Sequence, residues 1–214
     1  MTENVDLKEL ERNAYRSTFQ DGLWDIYIGM LFIGWSLRYF GIIFSSIIGL
    51  TIIFFYYTIT FLIFFIGKKF IVVPRMGFVK FGPKRKADKR KLIIFASINT
   101  LILLVFFLLT IAGIFQNIQI DVIIFPIFIG VCFIWLPLSV VAYFLKYNRL
   151  FLYSLIGGLS FILSELLYPF LGFPLNDFLL FGISGGVIII IGIVYFILFL
   201  KKYPLSKKEE ISQI

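Results

Sequence analysis

The chain has 214 residues, 60% of them hydrophobic and 15% charged, with a net charge of +8, no histidine and a single cysteine. A soluble domain averages about 45–50% apolar and about 25% charged residues, so most of this chain must face lipid. The absence of histidine removes imidazole bases, Ser-His and Cys-His pairs and His-ligated metals, and Cys132, being alone, excludes an intramolecular disulfide.

In chain order the first segment, residues 1–22, is polar, with five acids against three bases. A secretory signal needs a basic start and a short apolar core, so the first apolar run is expected to be retained. Val5–Gln20 reads as an amphipathic helix with Leu7, Leu10, Ala14 and Phe19 on one side. Such a helix rests on headgroups or docks a partner.

Six apolar runs approach the ~20 residues needed to span a bilayer. They are Leu23–Leu37, Ile42–Ile66, Leu92–Phe115, Val122–Leu145, Leu150–Phe170 and Phe178–Leu200. The first is short and carries Asp25 near its start. Asp21 lies four positions earlier, so both carboxylates share one helix face. Arg12 and Arg16 are near enough in sequence to pair with them, which suggests a cytoplasmic clamp between the tail and the first span.

Between the second and third runs lies Gly67–Lys91, which holds ten of the twenty Lys and Arg residues. Its first part, Phe70–Phe81, reads as a short surface hairpin around a Pro74–Gly77 turn. Its second part contains Lys84, Arg85, Lys86, Lys89, Arg90 and Lys91, a cluster of the kind that meets anionic lipid headgroups or anchors topology. Counted over alternating connections, nineteen Lys and Arg fall on one face and one on the other. The positive-inside rule then places both termini and the basic loop in the cytoplasm. Because the N-terminal segment is acidic and the loop basic, the two are expected to dock.

In the fourth run Pro126 and Pro137 predict bends, and Cys132 reads as a small core residue. The fifth run contains Glu165, near its outer end. A carboxylate at that depth is a candidate proton or cation site, or a protonated group within a packed bundle. Ser184 of the sixth run and Thr110 of the third are its expected hydroxyl neighbours. Gly182 and Gly186 form a small-xxx-small step for close helix packing, within the chain or between copies. Ser154/Gly158 and Ser160/Ser164 repeat that spacing in the fifth run. The first and fourth runs share no pattern, so no inverted repeat is read from them.

These features describe an all-α, polytopic membrane protein with six transmembrane helices, both termini inside, and a cytoplasmic N-terminal amphipathic helix. Residues 1–22 form the amphipathic segment, 23–200 the membrane domain with its basic loop 67–91, and 201–214 a cytoplasmic tail. No P-loop, HExxH or GxSxG motif is present. The reading is a non-enzymatic scaffold, accessory or lipid-interacting protein of the cell membrane, with no cofactor, no metal and no nucleic-acid partner. Its partners are the bilayer, its anionic headgroups, and a second copy or another membrane protein. The alternative is a small carrier or channel handling a proton or cation at Glu165.

Overall fold

A computed structural model describes residues 19–37, 46–76, 83–112 and 124–204. Every regular element among them is helical. Among the described residues, four helical stretches are long and apolar enough to cross a membrane: Ile47–Met76, Pro126–Leu145, Asn148–Leu171 and Leu175–Lys202. The elements are α1 (Leu23–Ser36), α2 (Ser46–Ile66), a π-turn π1 (Gly67–Val72), α3 (Val73–Met76), α4 (Pro83–Ile111), α5 (Ile124–Ile129), a second π-turn π2 (Gly130–Trp135), α6 (Leu136–Leu145), α7 (Asn148–Leu171) and α8 (Leu175–Lys202). At 14 residues and ~1.5 Å rise each, α1 is ~21 Å long, short of a ~30 Å hydrocarbon core.

The expected surface hairpin is not formed. Phe70–Met76 is helical, and α2 runs without interruption through π1 into α3; Gly77–Phe81 lies outside the described residues. The reason lies at Pro74. A proline ring clashes with the carbonyl four residues back and supplies no N–H. Widening the preceding turn to π moves that carbonyl away, and Val73 N–H then bonds to Lys68 O, five residues earlier. Arg75 Nη1 donates to Ile71 O at 3.2 Å and so satisfies a carbonyl of the disturbed turn. Pro137 is accommodated in the same way: π2 precedes it, and Leu136 N–H bonds to Val131 O. Pro126 sits in α5, and Cys132 lies half-buried in π2.

The chain packs as two units, Met1–Lys80 with Asp177–Ile214, and Phe81–Asn176. In the first, α1 lies between α2 and α8. Its seam with α8 is antiparallel: Gly22 meets Gly192, Gly29 meets Gly185, and Ser36 approaches Gly182. Each helix places glycines seven residues apart, so the same face returns every two turns and the backbones touch. A Cβ on Gly29 would lie 2.8 Å from Gly185 O, and one on Gly185 2.7 Å from Gly29 O. The expected Gly182/Gly186 step does not make this contact, since nothing approaches a Cβ on Gly186 within 4 Å. On the other side, Tyr56 donates its hydroxyl to Met30 O at 2.8 Å, linking α1 to α2.

In the second unit α7 turns Leu150, Tyr153, Ser154, Gly157, Gly158, Ser160 and Ser164 inward. The small residues named in the fifth run are therefore a packing face. Gly158 meets Gly130 of π2, and Ser154 and Ser139 share a 2.9 Å hydrogen bond between α7 and α6. The α6–α7 corner is tight because Lys146 takes a left-handed conformation (φ 55°). That lets Tyr147 N–H close onto Ala142 O at 3.1 Å.

Candidate functional site

The charged side chains that the structure buries most completely gather where α1 begins. Gly22, at φ 76°, turns the chain into the helix, a conformation glycine adopts without a Cβ penalty. Asp21 Oδ1 accepts from Leu23 N–H at 3.1 Å and satisfies one of the orphan donors of a helix start. Its other oxygen takes Lys68 Nζ at 2.5 Å. Asp21 and Asp25 are both fully buried, and Lys68 is 21% exposed at its side chain.

Lys68 arrives here because of π1. The turn begins at Gly67, whose missing side chain lets Leu23 approach: a Cβ there would lie 2.9 Å from Leu23 Cδ1. Trp24 and Phe64 flank the ammonium, at 5.8 and 5.9 Å from their ring centroids. Those rings pack on one another at 4.6 Å, and Tyr27 adds a third ring 4.8 Å from Phe64. Beside them Leu23, Val72 and Phe199 form a small apolar core with Met76, Phe196 and Tyr203. The ion pair is thus roofed by apolar groups and walled by aromatics. Burial raises the Asp21 carboxyl above its ordinary value; the Lys68 ammonium is the strongest influence pulling it back, and the neighbouring Asp25 charge pushes it up.

Asp25 lies on the α8 seam, where a Cβ on Gly192 would come within 3.0 Å of its own Cβ. Asp25 is near enough for its charge to act on Asp21, but Asp21 precedes α1, which begins at Leu23 after the left-handed Gly22, so the two do not share a helix face as their spacing predicted. The described partner of Asp21 is Lys68, from the second apolar helix. Arg12 and Arg16 lie outside the described residues, as do the N-terminal helix and its expected docking onto the basic segment. The signal for Lys68 was present in the sequence: a lysine directly after a glycine, at the end of an aromatic-rich apolar run.

The basic cluster occupies the first turns of α4. Arg90 and Lys91 are exposed; the side chains of Lys84, Arg85, Lys86 and Lys89 are outside the described residues. Across α4 the composition changes abruptly, from six bases within Lys84–Lys91 to the apolar stretch Leu92–Ile111.

Glu165 projects from α7 as an exposed residue, next to the buried Ser164. Ser184 is half-buried on α8, and the Thr110 side chain is outside the described residues. Glu165 and Ser184 belong to different units. Ser164 is engaged from the chain following α7, where the buried Asn176 donates Nδ2 to its carbonyl at 3.0 Å. Among the described residues no three His, Cys, Asp or Glu side chains converge as metal ligands would. Compared with protein families, curated proteins and solved structures, the chain matches none significantly.

Proposed function

We propose that this chain is a six-span, non-enzymatic protein of the cell membrane, with its termini and basic helix end in the cytoplasm. It works as a scaffold or accessory protein that gathers anionic lipid headgroups around Lys84, Arg85, Lys86, Lys89, Arg90 and Lys91. The observation that carries this reading is the division of α4. Its apolar part, Leu92–Ile111, is roughly 30 Å long at 1.5 Å per residue, the thickness of a hydrocarbon core. Its basic part adds about 13 Å more, enough to cross a headgroup layer of ~5–8 Å and reach the water beyond it. Each base near an anionic surface contributes about 1 kcal/mol.

The buried Asp21–Lys68 pair fits the same picture, as a clamp that sets α1 against the end of the second helix. The exposed position of Glu165 favours this reading over the carrier, whose site needs an enclosed, wet carboxylate. Spin-labelled lipids test the proposal in reconstituted membranes. Phosphatidylserine should be enriched over phosphatidylcholine in the motionally restricted shell. That preference should fall with added salt, and should be lost when the six bases are replaced by glutamine. Equal restriction of the two lipids by the wild-type chain would refute it.

A further inference from the structure

Two segments of the chain carry one pattern. Phe65-Ile66-Gly67-x-x-Phe70-Ile71-x-x-Pro74 is matched by Phe128-Ile129-Gly130-x-x-Phe133-Ile134-x-x-Pro137. The repeat joins the second and fourth apolar runs, not the first and fourth. Both copies also fold alike. Each glycine opens a π-turn, each turn ends two residues before the proline, and the residue between bonds five positions back.

The shared residues have shared work. Glycine brings the turn against a neighbouring helix: Gly67 against Leu23, and Gly130 against Ile162 Cγ1 and Gly158 O, where a Cβ would come within 2.8 and 2.9 Å. Proline then withholds the donor that the π register would supply next, leaving the Lys69 and Cys132 carbonyls without that bond. A helix is weakest where its ladder is interrupted, and such interruptions are where helices bend. The two copies are therefore the same breakable joint, one in each unit.

They differ at the residue after glycine. In the first copy it is Lys68, tied to Asp21 on α1. In the second it is Val131, which has no charge to offer. We propose that the two segments are paired hinges made by a repeated glycine–π–proline device, and that the Lys68–Asp21 ion pair is a latch that holds the first while the second is closed by apolar packing alone.

Peptide-resolved hydrogen–deuterium exchange on the full chain in detergent micelles tests both halves of the proposal. Lys68→Val gives the first hinge the residue of the second. It should accelerate exchange in 68–75 about tenfold or more, as expected for loss of a buried pair, and leave 131–138 unchanged. Asp21→Asn removes the same pair from the other side without creating a buried unpaired carboxylate, and should accelerate the same segment should Lys68→Val fail to fold. Pro74→Ala and Pro137→Ala restore a donor and permit a regular helix, so each should slow exchange in its own segment only. The latch is overturned if neither the Lys68 nor the Asp21 variant accelerates 68–75. The hinges are overturned if the alanine variants leave their own segments unchanged.

Discussion

Substituting alanine for Gly185, and separately for its neighbour Gly186, probes the α1–α8 seam at a resolution of one residue. A Cβ on Gly185 would lie 2.7 Å from Gly29 O, 2.7 Å from Ile33 Cγ1 and 2.9 Å from Ile33 N. Ordinary contacts begin near 3.4 Å, and two of those three atoms are backbone, so no rotamer change relieves the clash. The helices must part by roughly 0.7 Å, and overpacking of this kind costs about 1–3 kcal/mol. A Cβ on Gly186 meets nothing within 4 Å. Gly186→Ala should therefore be neutral, or stabilising by up to about 1 kcal/mol through helix propensity. Unfolding in mixed micelles with rising dodecyl sulfate, followed by the fluorescence of Trp24 and Trp35 on α1 in a background where Trp135 is replaced by phenylalanine, separates the two. Gly185→Ala should lower stability by about 1–3 kcal/mol and Gly29→Ala by a similar amount. The double variant should lose less than the sum, because one separation of the helices accommodates both methyl groups. A Gly186→Ala loss equal to that of Gly185→Ala would refute the seam as drawn.

Three further outcomes follow from the packing. Lys68→Met should cost about 3 kcal/mol in the same unfolding assay, because it leaves the Asp21 charge buried without its cation. Asp21→Asn should cost less, since Lys68 is partly exposed and can extend its stem toward water. Lys146→Gly should be neutral or stabilise by about 1 kcal/mol by relieving the left-handed residue, whereas Lys146→Ile should destabilise, because a β-branched side chain resists positive φ. A membrane-soluble carbodiimide should label the exposed Glu165 in native membranes. Asp21 and Asp25 should react only after unfolding, as tandem mass spectrometry of the modified peptides would show.

The long helices were legible because lipid demands continuous apolar runs, and a run of that length has no other stable use. What misled was the local chemistry of Val-Val-Pro-Arg-Met-Gly, which favours a turn. The helix continues because a wider turn accommodates Pro74, and no propensity scale anticipates that. The duplicated glycine–proline spacing was the available signal, hidden because it links the second and fourth runs. The two carboxylates stood out in the sequence as acids beside an apolar run, but helical spacing does not relate them, because Asp21 precedes the left-handed Gly22 at which α1 begins. The Lys68 partner depends on which face of the second helix meets α1. The same limit explains the glycines. Small-xxx-small steps recur through this chain, and only the position of the neighbouring helix selects Gly185 and Gly192 over Gly182 and Gly186.

The charges at the helix ends separate two kinds of electrostatic work. Acids near a helix start and bases near a helix end each gain about 0.3–1 kcal/mol from the helix dipole. Asp21 and Asp25 at the start of α1, Asp177 at the start of α8, and Lys201 and Lys202 at its end all follow that rule. Lys146, just beyond α6, follows it too. The start of α4 breaks it most heavily, with bases where the dipole is already positive. Helix stability therefore cannot be what places them there, and their mutual repulsion adds to the penalty. In the setting proposed above, an anionic headgroup layer would offset that penalty by about 1 kcal/mol for each base. That equals or exceeds the dipole cost, which moreover reaches only the first turn. The effect of these charges should change sign with environment. In uncharged micelles, replacing Lys84, Arg85 and Lys86 with glutamate should stabilise the start of α4, seen as slower amide exchange there. In phosphatidylserine bilayers the same replacement should destabilise it. The same direction of change in both media would mean that the basic turns are held by something other than lipid charge.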